Sequence, residues 1–96
     1  MNKIVVISGT SSGLGKELSR LFRAGGDTVI SLSRTNPYEE QNFIRCDLTD
    51  KQSIASACAE IRVKFPRVDI LINNSGVGLS GATELLPKDE IEKVVD

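Results

Sequence analysis

Short apolar stretches alternate with longer stretches of helical periodicity along this chain, and this alternation restricts the fold more than any other feature of the sequence. The apolar stretches predict four β-strands, at Lys3–Ser8, Thr28–Ser33, Phe43–Cys46 and Val68–Asn73. The first and the fourth are apolar at most positions, which is typical of strands covered on both faces. Strands of this kind, separated by helices, predict a parallel sheet with right-handed crossover connections.

The first predicted helix begins at Gly13 and ends at Gly25-Gly26, because glycine adopts the left-handed C-terminal conformation without steric cost. Its apolar residues recur at spacings that form one helical stripe, which consists of Leu14, Leu18, Leu21 and Phe22.

The second predicted helix has Thr49 as its N-cap, with Gln52 as the capping-box partner, and Pro66 ends it. Its buried stripe consists of Ile54, Ala57, Cys58, Ile61 and Phe65. A third helix follows Pro87 and has its apolar residues on one side, namely Ile91, Val94 and Val95. The predicted order is β-α-β-β-α-β-α, within one domain that covers residues 1–96.

Three glycines occupy the segment that joins the first strand to the first helix, Ser8-Gly9-Thr10-Ser11-Ser12-Gly13-Leu14-Gly15. Glycines there permit a tight turn, let backbone N–H groups approach a diphosphate and let the helix pack close to the sheet. The helix N-terminus adds unpaired donors and partial positive charge, which favour an anion. An ordinary glycine turn is the alternative, but a position between the first strand and first helix of a β-α-β unit favours phosphate binding.

The spacing of the glycines limits which phosphate ligand fits. A P-loop requires Gly-x-x-x-x-Gly-Lys-Ser/Thr, whereas Lys16 is followed here by Glu17, and Thr10 stands at the position of the first glycine. The usual dinucleotide spacing Gly-x-Gly-x-x-Gly is also absent, because the order here is Gly-x-x-x-Gly-x-Gly.

That order resembles the glycine motif of the short-chain dehydrogenase/reductase family, Thr-Gly-x-x-x-Gly-x-Gly, with Ser8 in place of Thr. Asp47-Leu48 resembles the family's acidic dipeptide that contacts adenine, and Asn73-Asn74-Ser75-Gly76 resembles its Asn-Asn-Ala-Gly, which approaches the ribose and nicotinamide. The resemblance implies a Rossmann-like, doubly wound parallel α/β sheet, here partial, with strand order 3-2-1-4. The cofactor-binding residues expected from the three motifs are Gly9, Ser11, Ser12, Gly13, Leu14, Gly15, Asp47, Leu48, Asn74, Ser75 and Gly76.

The end of the second strand indicates which nicotinamide cofactor binds. NAD-dependent proteins place a carboxylate there to accept hydrogen bonds from the ribose 2′-hydroxyl, whereas this chain has Ser31-Leu32-Ser33-Arg34. Ser33 can hydrogen-bond a 2′-phosphate, and Arg34 can pair with it and stack on adenine. We therefore expect NADP(H) to be preferred over NAD(H). A solvated loop arginine is the alternative for Arg34, and Ser12 occupies a position that is basic in many NADP-preferring relatives.

No catalytic residue is assignable from the resemblance. Hydride transfer in the family relies on a Ser and a Tyr-x-x-x-Lys pair, in which the lysine lowers the pKa of the tyrosine. The only tyrosine here is Tyr38, four residues before Asn42 and in the loop after the second strand. Two classes of function remain: the cofactor-binding half of an oxidoreductase with a small carbonyl or alcohol substrate, inactive by itself, and a non-catalytic dinucleotide-binding or interaction module.

Composition argues against other partners. With 12 basic and 13 acidic residues, the net charge of −1 gives no reason to expect nucleic acid or an anionic membrane. The longest apolar stretch, Ile4–Ile7, is too short to span a bilayer. Cys46 and Cys58, without histidine or a Cys-x-x-Cys pair, predict free buried thiols rather than a zinc site. We expect a cytoplasmic protein.

The predicted strand order leaves the fourth strand at an edge of the sheet, with the third helix still continuing at Asp96. An apolar, unprotected edge strand can pair with another chain. The sequence therefore predicts a homo-oligomer that forms through the exposed sheet edge.

Overall fold

The computed structural model of the chain describes residues 2–11, 13–74 and 92–95. These residues form five strands and two helices, which we number in chain order: β1 (Ile4–Ser8), α1 (Gly13–Ala24), β2 (Thr28–Ser33), β3 (Phe43–Arg45), α2 (Lys51–Lys64), β4 (Ile70–Asn73) and β5 (Glu92–Val95). The elements as far as Asn73 follow the predicted order, with small differences at the ends of β1, β3 and β4.

The strands form one parallel sheet in the order β3-β2-β1-β4-β5. In its centre, Val6 of β1 lies opposite Ile30 of β2 on one side and Leu71 of β4 on the other. This arrangement confirms the Rossmann-like parallel sheet and the order 3-2-1-4 of its first four strands.

The last element differs from the sequence prediction. A helix over Val94 and Val95 is wrong, because residues 92–95 form β5 and pair in parallel with β4. Two β-branched valines suit a strand, and β4 provides the hydrogen-bonding edge on which β5 forms. β4 is therefore not an edge strand, and the predicted homo-oligomer loses the exposed edge on which that prediction depended. Pro87 and Ile91 lie outside the described residues.

The sheet has an apolar core on each face, as the strands predicted. Neighbouring residues of a strand point to opposite faces, so that Val6 packs in the core beneath α2, whereas Val5 packs in the core beneath α1. The buried residues contributed by α2 are Ala57, Cys58 and Ile61. This confirms the predicted stripe of α2, whose partly buried members Ile54 and Phe65 also pack against the core.

α1 contacts the sheet through a different set of residues from the one predicted. Leu18 and Phe22 pack on the core, and Gly15 and Ser19 are buried, but Leu14 and Leu21 are more than half exposed. The two small buried residues bring the helix close to the sheet. The stripe predicted from apolar spacing is therefore correct for only two of its four members.

The N-cap of α2 is Asp50 and not Thr49. The Asp50 carboxylate accepts a hydrogen bond from the backbone N–H of Gln52 at 3.0 Å, while the Thr49 hydroxyl donates to Oδ1 of Asp47 at 2.7 Å. Aspartate and threonine are both good N-cap residues, so the sequence alone placed the helix start one residue too early.

No helix in the described part of the chain has the length and apolarity needed to cross a membrane. Cys46 and Cys58 are free and buried in the core between α2 and the sheet, as predicted. Among residues 2–11 and 13–74, the side chains form no group of three or more that could hold a metal ion.

Candidate functional site

Three neighbouring parallel strands end at one edge of the sheet, beside the N-terminus of α1. Their last residues are Ser33 of β2, Ser8 of β1 and Asn73 of β4, and all three are buried. From β1 the chain runs outward through β2 and β3, and then returns to the other side of β1 as β4. In open α/β sheets, ligands bind in the crevice at such a switch of direction, outside the carboxyl ends of the strands.

Gly9 makes the turn that leads from β1 toward α1. Its φ of 76° lies in the left-handed region, which glycine adopts without steric cost. Its backbone N–H donates to the carbonyl oxygen of Leu32 at 2.9 Å, and its own carbonyl accepts from Nδ2 of Asn74 at 3.3 Å. The N–H of Gly9 is thus engaged within the protein, and Gly9 contributes the turn rather than a donor for a diphosphate.

Gly15 and Gly13 have opposite surroundings. A Cβ added to Gly15 would collide with the carbonyl oxygen of Gly9 and would lie 2.8 Å from Nδ2 of Asn74. A Cβ added to Gly13 would meet no atom of the described residues within 4 Å. Gly15 therefore allows α1 to pack closely against the loop, whereas Gly13 borders open space where a ligand can approach the backbone.

Ser8 connects the two strands that border the crevice. Its hydroxyl donates to Oδ1 of Asn73 at 3.0 Å and accepts from the backbone N–H of Asn74 at 3.1 Å. Ser8 and Asn73 are 65 residues apart in the chain, so no local sequence pattern predicts their contact. The one feature that could have indicated it is a hydroxyl residue at the end of a buried strand. Ser8 thereby fixes the start of the segment after β4.

The end of β2 presents hydroxyl groups where a carboxylate would bind the ribose of NAD. Ser33 is buried, and its Oγ donates to Oγ of Ser11 in the glycine loop at 3.0 Å. Arg34 follows at once and is exposed. The predicted residues Ser11, Ser33 and Arg34 therefore lie together at one side of the crevice.

Asp47 and Leu48 follow β3, and their side chains have different surroundings. Oδ1 of Asp47 accepts from the hydroxyl and the backbone N–H of Thr49 at 2.7 and 3.0 Å, and these bonds lower the pKa of the carboxyl below its ordinary value. Arg34 also lowers that pKa through its charge, to a smaller extent. Leu48 packs against the apolar core beneath α2. Of this dipeptide, the ionised Asp47 is the member with a polar group to offer a ligand.

The sequence model of the short chain dehydrogenase family matches residues 3–96, and the glycine turn, the Ser8 bridge and the parallel sheet all lie within the match. The chain belongs to the short chain dehydrogenase family.

Similar proteins are considerably longer than this chain. The NAD-dependent glycerol dehydrogenase of Listeria innocua is 31% identical over 99% of the chain, which covers 41% of that protein. The rat protein named dehydrogenase/reductase SDR family member 7B is 36% identical over 99% of the chain and 35% of its own length. The chain thus spans less than half the length of these relatives.

Solved structures of other oxidoreductases share the fold described above. The ligand-free aldohexose dehydrogenase of Thermoplasma acidophilum matches with a TM-score of 0.73 and 30% identity, over 78% of this chain and 30% of that one. An oxidoreductase of the family from Brucella ovis, in complex with a partially ordered NAD, matches with a TM-score of 0.67 and 30% identity, over 79% of this chain and 39% of that one.

The structure brings most of the residues expected of a short chain dehydrogenase to the strand ends. The exposed Leu14 and the three loop glycines lie at or before the first turn of α1, and Asn74 reaches the loop through Gly9. Three predicted positions, Ser12, Ser75 and Gly76, lie outside the described residues. Within residues 2–11 and 13–74, Tyr38 lies beside Lys16 of α1, whose Nζ is 4.8 Å from the ring centroid.

Proposed function

We propose that residues 1–96 form the dinucleotide-binding half-domain of a cytoplasmic short chain dehydrogenase, and that NADP(H) is its preferred cofactor. The whole protein would transfer a hydride between that cofactor and a small carbonyl or alcohol substrate. Membership of the family supports the reaction class. The cofactor and its contacts are inferred from the residues at the strand ends.

The observation on which the proposal rests is the open space at the first turn of α1. The first N–H groups of a helix have no partner within the helix and attract an anion. The first turn of α1 contains no acidic residue that would oppose this attraction, and Gly13 adds no side chain in front of it. A diphosphate therefore fits at this point, with Gly9 and Gly15 shaping the loop that holds it.

The hydroxyl and guanidinium groups at the end of β2 favour NADP(H). No carboxylate stands there to hold a ribose 2′-hydroxyl or to repel a 2′-phosphate. The hydroxyls of Ser33 and Ser11 share one hydrogen bond, which leaves one O–H of the pair to donate to the phosphate, and the exposed Arg34 can pair with it. Of the similar proteins, one is named for NAD and another contains it, and neither name supports NADP(H). The preference for NADP(H) is therefore argued from this chain's own side chains.

When bound, the nicotinamide supplies the hydride or accepts it. The residues of this chain would bind and orient the cofactor: the first turn of α1 holds the diphosphate, and the Ser8 bridge positions Asn74 at the segment that follows β4. Tyr38 is the only tyrosine of the chain and is not placed to serve as a general acid. We therefore expect binding without turnover from the 96-residue chain.

Titration of the chain with NADPH and NADH, followed by nicotinamide fluorescence, tests the cofactor preference. Arg34→Ala should weaken NADPH binding about 10- to 100-fold, since a charge-assisted hydrogen bond contributes about 1.5–3 kcal/mol, and should weaken NADH binding much less. Arg62→Ala, at an exposed arginine of α2, is the matched control and should change neither. Tighter binding of NADH than NADPH by the unaltered chain would contradict the proposal.

The second candidate is a non-catalytic dinucleotide-binding or interaction module, favoured by the position of Tyr38 and the asparagine, rather than lysine, at Asn42. Carbonyl-dependent oxidation of NADPH by the 96-residue chain would exclude it.

Homo-oligomer formation stays a prediction. The edge strands of the described sheet are β3 and β5, so we expect the contact there. Light scattering at micromolar concentrations tests it, and a monomer would contradict it.

A further inference from the structure

A cavity of about 450 Å³ lies between α1 and the segment 34–42 that joins β2 to β3. The residues that line it are Lys16, Arg20, Arg23, Ala24, Tyr38 and Glu40. On α1 the lining residues extend from Lys16, about one turn after the start of the helix, to Ala24, its last residue. The proposed diphosphate site lies at the first turn. The cavity is therefore separate from the crevice at the strand ends, and its volume suits a small organic ligand.

The wall formed by the segment 34–42 is fixed by hydrogen bonds. The side chain of Asn36 donates to the backbone carbonyl of Glu40 at 3.1 Å and accepts from its N–H at 2.8 Å. Arg23 of α1 donates to the carbonyl oxygens of Gln41 and Val29 at 2.7 and 3.3 Å. The segment is thus tied to itself and to α1, so that the cavity exists before any ligand binds.

The chemical groups around the cavity differ from one another. Glu40 has one buried oxygen, Oε1, without a hydrogen-bond partner among the described residues, while its Oε2 lies 3.7 Å from Nε of Arg23. Tyr38 is 43% exposed, and Nζ of Lys16 lies 4.8 Å from the centroid of its ring, so the apolar surface on offer is the part of the ring that Lys16 leaves uncovered. Lys16 and Arg20 are exposed cations, although Arg20 also pairs with Glu17. A buried carboxylate oxygen without a donor is unfavourable. Because Oε1 is out of reach of solvent, the Glu40 side chain would turn to accept a ligand hydroxyl there.

We propose that this cavity binds a sugar phosphate. The sugar hydroxyls would donate to Glu40, since a carboxylate accepts hydrogen bonds only, and the apolar face of the sugar would lie on the ring of Tyr38. The phosphate would lie at Lys16 and Arg20. The three cations and one carboxylate of the lining have a net charge of +2, of which Glu17 offsets one through its ion pair with Arg20. The remaining positive charge suits a phosphate monoester at one end, with a neutral polyol at the other.

Calorimetric titration of the full chain with glucose 6-phosphate, glucose and inorganic phosphate tests the proposal. Glucose 6-phosphate should bind at least tenfold more tightly than either fragment. Lys16→Gln should weaken it about fivefold to tenfold, while Lys51→Gln, at an exposed lysine of α2, should have no effect. A binding free energy of about 4 kcal/mol corresponds to a Kd of about 1 mM, which would give clear saturation at about 10 mM. No saturation with glucose 6-phosphate at that concentration would overturn the proposal.

Glu40→Gln distinguishes a built site from simple attraction of an anion. Removal of the carboxylate should weaken glucose 6-phosphate about tenfold, which corresponds to about 1.4 kcal/mol, and should not weaken inorganic phosphate. Equal strengthening of both ligands would overturn the proposal. If Glu40→Gln lowers the melting temperature, Tyr38→Ala, at a half-exposed ring, provides the same comparison. Because none of these titrations contains a dinucleotide, their failure and a failure to bind NADPH are separate results.

Discussion

Replacement of Gly13 by alanine should raise the stability of the chain and weaken its binding of the cofactor. Gly13 is the first residue of α1, its φ is not in the left-handed region, and an added Cβ meets no atom within 4 Å. Alanine therefore fits the folded chain and reduces the conformational freedom of the unfolded chain. A substitution of this kind stabilises by about 0.4–1 kcal/mol, which corresponds to a rise in melting temperature of roughly 2–8 °C for a domain of this size.

The same methyl group would stand in the space where we place the diphosphate. Loss of one charge-assisted hydrogen bond costs about 1.5–3 kcal/mol, so the Kd for NADPH should rise about 10- to 100-fold. Thermal unfolding and NADPH fluorescence titration of one preparation measure both effects. An alanine variant that is more stable and binds NADPH as tightly as the unaltered chain would refute the placement of the cofactor.

Two other glycines of the chain provide matched controls. A Cβ at Gly25 would make only ordinary contacts, of 3.5 Å or longer, at the far end of α1, so Gly25→Ala should stabilise similarly and leave NADPH binding unchanged. Gly15→Ala should lower both properties, because its Cβ collides with the backbone of Gly9. Overpacking of this kind costs about 1–3 kcal/mol.

Three further predictions concern stability and thiol reactivity. Ser8→Ala should lower the free energy of urea unfolding by about 1–3 kcal/mol, because the buried Asn73 and the partly buried Asn74 each lose a hydrogen bond. Ser8→Thr should retain most of that stability; equal losses would contradict this. The backbone N–H of Ile4 donates to Asp69 and holds the pKa of that carboxyl below its ordinary value. The stability that Asp69 contributes is therefore complete at a pH above the ordinary pKa and is lost as the pH falls through the lowered pKa. Acid unfolding of Asp69→Asn should therefore be less steep below about pH 4, and an unchanged curve would exclude this role. Burial raises the pKa of Cys58 to about 11 and also raises that of Cys46, so both thiols should resist alkylation near neutral pH until denaturant is added; rapid labelling of the folded chain would show that the core is open.

The parts of the fold that depend on local pattern could be predicted from the sequence. β1 and β4 are apolar at most positions, which indicated a covered parallel sheet, and the glycine spacing indicated where the first helix begins. Gly26, with a φ of 91°, follows the end of α1 as predicted. These features depend on residues close together in the chain.

The remaining errors have identifiable physical causes. Asp50 and Thr49 are adjacent residues with similar capping ability, so sequence could not decide which one caps α2. Val94 and Val95 fit an apolar helix face as well as a strand, and the pairing with β4 decides between the two.

The site shows the same division between local and distant information. The glycine loop was predicted as a unit, but the engagement of the Gly9 N–H by Leu32 depends on β2. The bridge from Ser8 to Asn73 joins residues 65 positions apart. No local pattern predicts such contacts, because they arise only when the strands align side by side.

The central claim is that the first turn of α1 holds the cofactor diphosphate, and a ¹H–¹⁵N NMR titration with NADPH tests it most directly. The backbone amide signals of Ser11, Gly13 and Leu14 should show the largest changes, while those of α2 stay in place. Large changes confined to other parts of the chain, with the first turn of α1 unaffected at saturation, would contradict the account.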